Sequence, residues 1–433
     1  MNVRELALEA YTQITDGGGY SNIVMNDIIK NNEMESADRG LLTEIVYGTI
    51  SKRLTIEFYI TPYIKTKLKR WQKSLIYISV YQIVWLERVP NYAVINEAVD
   101  IAKNIGGPGH ANVVNGVLRN FERNPLRDIQ KVKKDLSRLS IETSIPLWIL
   151  KQWQTHHGIE GAGEIARALN AHPEMYIRTN TSVISREELL EKLQIDGHDV
   201  EESDLHPDAI KVRGGEILRS PFYRQGYFSI QDISSMLVNT ALEPAYGDVI
   251  LDACSAPGGK GLHALEKIST GHVDLSDIHA HKIPLIKAQA DRLDLENFNV
   301  FQGDATTHDY SRTYDRIIVD APCSGLGVIR RKPEIRYERT SNDIEPLVEL
   351  QLDILNHVKN YLKPGGILIY STCTIHQMEN ENVAYTFNKQ NDDMEFDPFS
   401  IDALDFEGPF KQILPQEAGT DGFFIARFRK KEK

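Results

Sequence analysis

From about residue 241 onward the chain repeats one pattern, a short apolar run that ends in a small or acidic residue and is followed by a stretch with helical spacing. The runs are Val249 to Ala253, His272 to Asp277, Asn299 to Gln302, Arg316 to Asp320 and Gly366 to Ser371. Helices are expected between them, notably Gly259 to Ile268, His279 to Leu293 and Ile344 to Leu362. This β-α-β order constrains the fold more than any other feature. It predicts a parallel, doubly wound α/β sheet of Rossmann-like type, with ligands at the C-terminal ends of the strands.

The rest of the chain reads differently. Residues 1–125 show helical spacing nearly throughout, as in Val3, Leu6, Ala10 and Ile14, then Leu41, Leu42, Ile45 and Val46, then Val94, Ala98 and Ile101. An all-α bundle ending near Phe121 is expected there. Residues 126–240 are mixed: Met175 to Thr179 and Ala209 to Val212 alternate like strands. Ser185 with Glu188 forms a capping box ahead of Leu189, Leu190 and Leu193. A small α+β linking domain is expected, with residues 241–433 as the third.

Charge divides the same way. The whole chain is acidic, at −12, yet residues 1–140 hold 19 basic against 15 acidic side chains, leaving 30 against 46 for the remainder. Lys65, Lys67, Lys69, Arg70 and Lys73 crowd into one stretch, and Lys131, Lys133, Lys134 and Arg138 into another. Such runs are solvated helix faces or contacts for nucleic acid.

Three cysteines in 433 residues cannot form a disulfide framework, which fits a reducing cytoplasm. The first segment, Met1 to Ile14, carries Arg4, Glu5 and Glu9 and no apolar core of signal-peptide length. The most apolar run, Ser74 to Leu86, is too short to span a bilayer and reads as a buried helix, so no membrane partner is expected.

The segment Leu251-Asp252-Ala253-Cys254-Ser255-Ala256-Pro257-Gly258-Gly259-Lys260 puts a glycine turn between the first strand and first helix of the α/β region. Gly258 and Gly259 allow close backbone approach to a ligand. A P-loop would need glycine at Cys254 and Ser or Thr at Gly261, and a dinucleotide fingerprint would need G-x-G-x-x-G; both fail. Asp277 closes the second strand, where a carboxylate can accept both hydroxyls of a ribose, a placement common to NAD and S-adenosylmethionine enzymes. Asp304, in Gly303-Asp304-Ala305 after the third strand, is a candidate for the adenine amino group. Either acid alone would be read as a cap or loop residue; their place at successive strand ends favours the ligand.

Asp320-Ala321-Pro322-Cys323-Ser324-Gly325 follows the fourth strand and Ser371-Thr372-Cys373-Thr374 the fifth, so two thiols are expected at the mouth of one sheet. Buried cysteines usually behave as small hydrophobes. All three here fall in strand-end loops instead. No C-x-x-C or H-E-x-x-H occurs, and His279 with His281 is a weak metal signal, so no metal is expected. A strained disulfide between Cys323 and Cys373 is a minor alternative.

With these motifs in order, the chain resembles the RNA 5-cytosine methyltransferases that depend on S-adenosylmethionine. The matching elements are the Asp-Ala-Cys-Ser-Ala-Pro-Gly-Gly-Lys loop, Gly-Asp-Ala, Asp-Ala-Pro-Cys-Ser-Gly and Ser-Thr-Cys-Thr. The N-terminal region resembles a NusB-like RNA-binding bundle, with His110 to Arg119 similar to one of its helices. With Gly226-Tyr-Phe-Ser-Ile-Gln-Asp232 leading into the catalytic region, the resemblance covers nearly the whole chain. It is similar to the members that act on small-subunit (16S) ribosomal RNA.

The resemblance implies a mechanism. Carbon 5 of cytosine is a weak nucleophile, so a thiolate first adds to carbon 6, dividing one hard step into easier ones. The Thr-Cys cysteine, Cys373, would make that attack, and the Pro-Cys cysteine, Cys323, would assist release of the enzyme. Asp320 would hydrogen-bond the cytosine edge and, if protonated, stabilise charge developing at ring nitrogen 3; Lys260 would lower a nearby thiol pKa or orient cofactor and base. Cys254, Ser255, Ala256, Pro257, Gly258, Gly259, Lys260, Asp277, Asp304 and Asp320 would bind S-adenosylmethionine. The target base must be unpaired or flipped into the site, Arg330, Arg331, Lys332, Arg336 and Arg339 are placed to hold phosphates beside it, and the enzyme is expected to act as a monomer.

Two positions depart from the family pattern: Gly261-Leu262 stands where a threonine pair often follows the loop lysine, and Val273-Asp274-Leu275-Ser276 is polar for a second strand. The competing readings are a transfer RNA methyltransferase, an RNA-binding factor with a vestigial catalytic domain, and an NAD-dependent dehydrogenase, which leaves both thiols unexplained.

Overall fold

A computed structural model describes residues 2–214 and 216–432. The chain forms two compact units. The first is Met1–Ala171 with Ile329–Thr340, the second His172–Val328 with Ser341–Lys433.

The first unit is helical. Its opening helix, Val3–Gly17, begins with a reciprocal cap: Asn2 Oδ1 accepts from the Glu5 N–H at 2.8 Å and Glu5 Oε2 accepts from the Asn2 N–H at 3.0 Å. Leu6, Ala10, Ile14, Leu42, Ile45 and Val46 meet in its core as their spacing predicts. Helix Arg70–Trp85 is buried at every position from Ser74 to Gln82, which explains an apolar run without an amphipathic stripe. Among the described residues no helix is long and apolar enough to cross a membrane.

This unit continues past residue 125. Helices Asp135–Thr143 and Leu147–Ala168 join it, Thr55 N–H donating to Ser144 Oγ at 3.1 Å and Asn170 Nδ2 to the Thr143 carbonyl at 2.6 Å. The sequence assigns these helices to a linking domain because side-chain spacing reveals a helix but not the body it packs on. Residues 329–340 also belong here. Arg336 is 0% exposed, and its Nη1 donates to the carbonyls of Ser51, Thr143 and Ser144 and to Asn170 Oδ1 at 3.0–3.5 Å. Glu334 Oε1 accepts from the N–H of Ser21, the first residue of helix Ser21–Asn31, at 3.0 Å. The expectation that Arg336 holds phosphates is therefore corrected: it satisfies buried carbonyls instead. Lys332 Nζ lies 5.9 Å from the centroid of the Tyr20 ring.

The second unit holds two larger sheets. Strands β1 (Met175–Thr179), β2 (Val200–Glu202), β3 (Ala209–Val212) and β4 (Phe228–Ile230) form an antiparallel sheet in the order β2-β3-β1-β4. Helix Arg186–Ile195, capped by Ser185 Oγ accepting from the Glu188 N–H at 3.1 Å, packs Leu189 and Leu193 against Ile177 and Ile210.

The main sheet contains β5 (Val249–Asp252), β6 (His272–Asp277), β7 (Phe298–Gln302), β8 (Tyr314–Asp320) and β9 (Leu362–Thr372), all parallel, in the order β9-β8-β5-β6-β7. Alternate residues enter opposite cores. Ile318 and Ile369 face one, while Ile317, Val319, Leu368 and Tyr370 face the other. Burial on both faces is why these strands read as continuous apolar runs.

The sheet is mixed, where an entirely parallel one was expected. After β10 (Met394–Phe396), a small hairpin of β11 (Phe399–Ile401) and β12 (Phe406–Gly408) stands apart. Then β13 (Phe410–Ile413) and β14 (Phe423–Lys430) follow, β14 running antiparallel to β9, β10 and β13. The last long helix, Glu381–Gln390, precedes these strands, and the short links after it leave no room for parallel crossovers.

Candidate functional site

The chain order reverses between β5 and β8: β6 and β7 extend the sheet to one side, β8 and β9 to the other. The loops at that switch point diverge and open a crevice. A cavity of about 230 Å³ lies there, lined by Cys254 and Ala256 from the loop after β5, Asp277 at the end of β6, Asp304 after β7, and Asp320 at the end of β8.

Asp277 Oδ1 accepts from the His279 N–H at 2.9 Å and Oδ2 from the Ala256 N–H at 3.3 Å. Each carboxylate oxygen can accept twice, so both retain capacity for a ribose diol. Asp304 Oδ1 accepts from the Thr306 N–H and hydroxyl at 2.9 and 2.7 Å, and these bonds hold its carboxyl below the usual range. The walls are apolar: Ile278, Leu350, Ile354 and Pro322 line the cavity, and Ile278 is 52% exposed. Sequence reasoning missed these four. An exposed isoleucine directly after the strand-end acid was the signal available.

The rest of the glycine loop shapes the crevice from behind. Ser255, Pro257, Gly258, Gly259 and Lys260 do not line this cavity. Gly258 has φ +106°, a conformation that L side chains avoid, and a Cβ there would lie 3.1 Å from Leu262. Ser255 Oγ donates to the Asp252 carbonyl at 2.6 Å and its N–H to the Ser276 carbonyl at 2.8 Å. Gly261 donates its N–H to Asp252 Oδ2 at 2.9 Å, and a Cβ there would meet that oxygen at 2.8 Å and Leu275 Cδ2 at 2.7 Å. The glycine in place of threonine follows from this close approach.

The polar second strand is also explained. Asp274 is buried, and its carboxylate accepts from Tyr314 OH at 2.8 Å and Asn299 Nδ2 at 3.0 Å.

Lys260 faces β8. Its Nζ donates to Asp320 Oδ2 at 2.6 Å and lies 5.2 Å from the Phe423 ring centroid. Burial alone would lower the Lys260 ammonium, but Asp320 outweighs it, with help from Asp252 and Cys373, and the net shift is upward. Ser371 Oγ donates to the other Asp320 oxygen at 2.9 Å.

The two cysteines meet because β8 and β9 are parallel neighbours with Asp320 opposite Ser371. Adjacent strands lie about 4.8 Å apart, and Cys323 follows Asp320 by three residues while Cys373 follows Ser371 by two. Their sulfurs are 3.4 Å apart. That is a hydrogen-bond distance, well beyond the ~2.05 Å of a disulfide, so the disulfide alternative does not hold. The Cys323 thiol is pushed well up by the hydrogen bond to Cys373, then by burial. Either sulfur can be the donor in this contact. Burial, followed by the charges of Asp252, Asp320 and Asp277, likewise pushes Cys254 well up, so it stands in the cavity wall as a neutral thiol.

One further cluster has ligand spacing: the side chains of His206, Asp208 and His263 lie within 4.8 Å of one another. Asp208 Oδ2 already takes the Lys267 ammonium at 2.6 Å and His263 Nε2 at 3.1 Å, which makes this a buried charge network.

Apolar walls with acids at successive strand ends, at the switch point of such a sheet, form a site of the kind that holds a nucleoside. Fold and site together define an S-adenosylmethionine-dependent methyltransferase. Comparison with known proteins gives the family. The model of the 16S rRNA methyltransferase RsmB/F family matches residues 239–429, that of the NusB family residues 1–123, and that of the ferredoxin-like domain of RsmF/B-like methyltransferases residues 145–216. A Bacillus subtilis protein named "Probable ribosomal RNA small subunit methyltransferase B" is 41% identical over 443 residues, covering 99% of each chain. The Shewanella oneidensis protein named ribosomal RNA small subunit methyltransferase B is 33% identical over 440 residues, again with 99% of each. A crystal structure described as PH0851 superimposes with a TM-score of 0.83 at 22% identity over 99% of each chain, a likeness of fold. The chain belongs to the ribosomal RNA small subunit methyltransferase B family, and its cofactor is S-adenosylmethionine.

Proposed function

We propose that this chain methylates carbon 5 of a cytosine in small-subunit ribosomal RNA through a covalent bond between Cys373 Sγ and ring carbon 6. The observation that carries the reading is the thiol pair: two sulfurs 3.4 Å apart, beside a Lys260–Asp320 pair whose aspartate also lines the cofactor cavity. Bound S-adenosylmethionine supplies an electrophilic methyl group.

The chain's own residues do the rest. The Lys260 charge favours the Cys373 thiolate, and the Cys323 S–H donates to it, so the proton stays on Cys323 and the attacking electron pair on Cys373. The target base, unpaired or flipped out, meets Asp320, whose carboxylate accepts from the exocyclic amino group. The adjacent Lys260 ammonium faces the charge that develops at nitrogen 3 as sulfur adds to carbon 6. Carbon 5, now enamine-like, takes the methyl group. A water molecule takes the carbon 5 proton, the C5–H electron pair forms the C5–C6 double bond, and the C6–S bond breaks, its electrons leaving on Cys373 Sγ. The departing thiolate again receives the Cys323 hydrogen bond. The reading takes the enzyme to act as a monomer in the cytoplasm.

The test uses 16S ribosomal RNA labelled with tritium at cytosine carbon 5. Cys373→Ser is expected to abolish both tritium release and methyl incorporation. Cys323→Ser is expected to accumulate a protein–RNA adduct that survives denaturation. Near-normal turnover by Cys373→Ser, or no adduct with Cys323→Ser while native enzyme is active, contradicts the assignment. Bisulfite sequencing of RNA from cells with and without the protein then locates the modified cytosine.

A further inference from the structure

The motifs account for the two cysteines but not for what holds their loops in register. Glu379, fully buried, lies in the turn between β9 and helix Glu381–Gln390. Ser324 donates its N–H to Glu379 Oε1 at 2.8 Å and its hydroxyl to Oε2 at 2.6 Å. A serine hydroxyl has one hydrogen, so its 2.7 Å contact with Thr374 Oγ1 is a donation from Thr374. Gln351 Nε2 donates to Glu379 Oε1 at 3.2 Å and to the Pro322 carbonyl at 3.0 Å. Asn380 Nδ2 donates to the Thr374 carbonyl at 3.0 Å, and its Oδ1 accepts from the Thr372 hydroxyl. The residues on both sides of Cys323, and on both sides of Cys373, are thus held by one buried network.

We propose that Glu379 is the positioning residue of the thiol pair: by taking both donors of Ser324, it fixes, through Ser324 and Thr374, the separation at which Cys323 and Cys373 face each other. The proposal rests on the two-thiol reaction above. Glu379 acts electrostatically as well. The charged and titratable groups facing Cys323 include Cys373, Glu379, Asp320 and Tyr370, with Lys260 as the counter-charge beside Asp320 and Cys373. A carboxylate there opposes ionisation of Cys323, which leaves the thiolate to Cys373.

The experiment measures iodoacetamide alkylation of each cysteine against pH in the folded full-length chain without RNA, by peptide mass spectrometry. Glu379→Gln keeps an acceptor for the Ser324 N–H and removes the charge. It is expected to shift the Cys323 profile down by about one pH unit, a roughly tenfold faster reaction at a given pH below the midpoint. Cys254, outside the network, is the internal control. Ser324→Ala, which frees Thr374 and loosens the S–H···S contact, is expected to move Cys323 in the same direction and covers the case in which Glu379→Gln does not fold. A folded variant of either kind with an unshifted Cys323 profile overturns the proposal; a merely structural role lowers the melting temperature without moving it. Because the profile is read without RNA, it separates from the adduct test. A shifted profile with no adduct in Cys323→Ser rejects the reaction and keeps the positioning role, whereas an adduct with an unshifted profile does the reverse.

Discussion

Replacing Asp252 with asparagine is expected to stabilise the second unit, and more at high pH than at low. Asp252 closes β5 at 1% exposure; Oδ2 accepts from the Gly261 N–H at 2.9 Å, and the Cys254 N–H also faces the carboxylate. Burial, and then the charge of Asp320, lifts its carboxyl from 3.8 to about 7. An acid whose pKa is higher in the folded state holds its proton more tightly there, so its contribution to stability is lost as pH rises from about 4 to about 7. At ~1.4 kcal/mol per pKa unit, ionising Asp252 costs the folded state about 4 kcal/mol at pH 8 and about 1.6 kcal/mol at pH 5. Asparagine removes that cost and introduces a pH-independent penalty of about 1–2 kcal/mol for an amide N–H without an acceptor. The variant should be level with the native chain near pH 5 and roughly 2–3 kcal/mol more stable at pH 8.

The assay is urea unfolding of both proteins at the two pH values. All four tryptophans, Trp71, Trp85, Trp148 and Trp153, lie in the first unit, so fluorescence follows that unit and serves as a control. Circular dichroism change without a fluorescence change follows the second. The rings of His206 and His263, pushed down by burial, contribute equally to both proteins and cancel in the difference. A variant-minus-native difference that is constant from pH 5 to pH 8, or that favours the native chain at pH 8, refutes the reasoning.

Four further outcomes are expected. Glu266→Ala leaves Arg178, its 2.5 Å partner at 1% exposure, buried and unpaired, and should cost the second unit about 3–5 kcal/mol in the same unfolding experiment. Gly261→Thr drives a side chain into Asp252 and Leu275, and should weaken S-adenosylmethionine binding and cost about 1–3 kcal/mol, read by calorimetry and thermal melting. Lys67 and Lys69 are exposed, so their double replacement by alanine should reduce the slope of log affinity for ribosomal RNA against log salt by about 1.4–1.8 if each meets one phosphate. Arg336→Met, at a side chain with no exposure, should leave that slope unchanged, and a reduced slope would restore Arg336 as a phosphate contact.

Much of the site was legible because its signals are local. A glycine turn between strand and helix, an acid at a strand end and a cysteine in a loop each occupy a few consecutive residues, and their order along the chain maps onto neighbouring strand ends once the sheet is parallel. What the sequence hid was long-range. The C-terminal strands carry the same apolar runs as the parallel ones, so the antiparallel addition of β14 to β9, and of β10 and β13 to β14, shows only in pairing. Arg336 sits among other basic residues and looks solvated. Its burial depends on carbonyls of Ser51, Thr143 and Ser144, far away in the chain.

The sequence by itself determined the order of helices and strands, the shape of the glycine loop and the presence of two thiols at strand ends, because hydrophobic period and backbone permissiveness act between residues close in the chain. Only the tertiary structure decided that Cys323 and Cys373, 50 residues apart, lie within one hydrogen bond of each other. It also decided that Glu379 binds Ser324 across 55 residues and that residues 329–340 pack with the helical unit. These outcomes follow from strand register and burial, which depend on what the rest of the chain places alongside and cannot be read from any one segment.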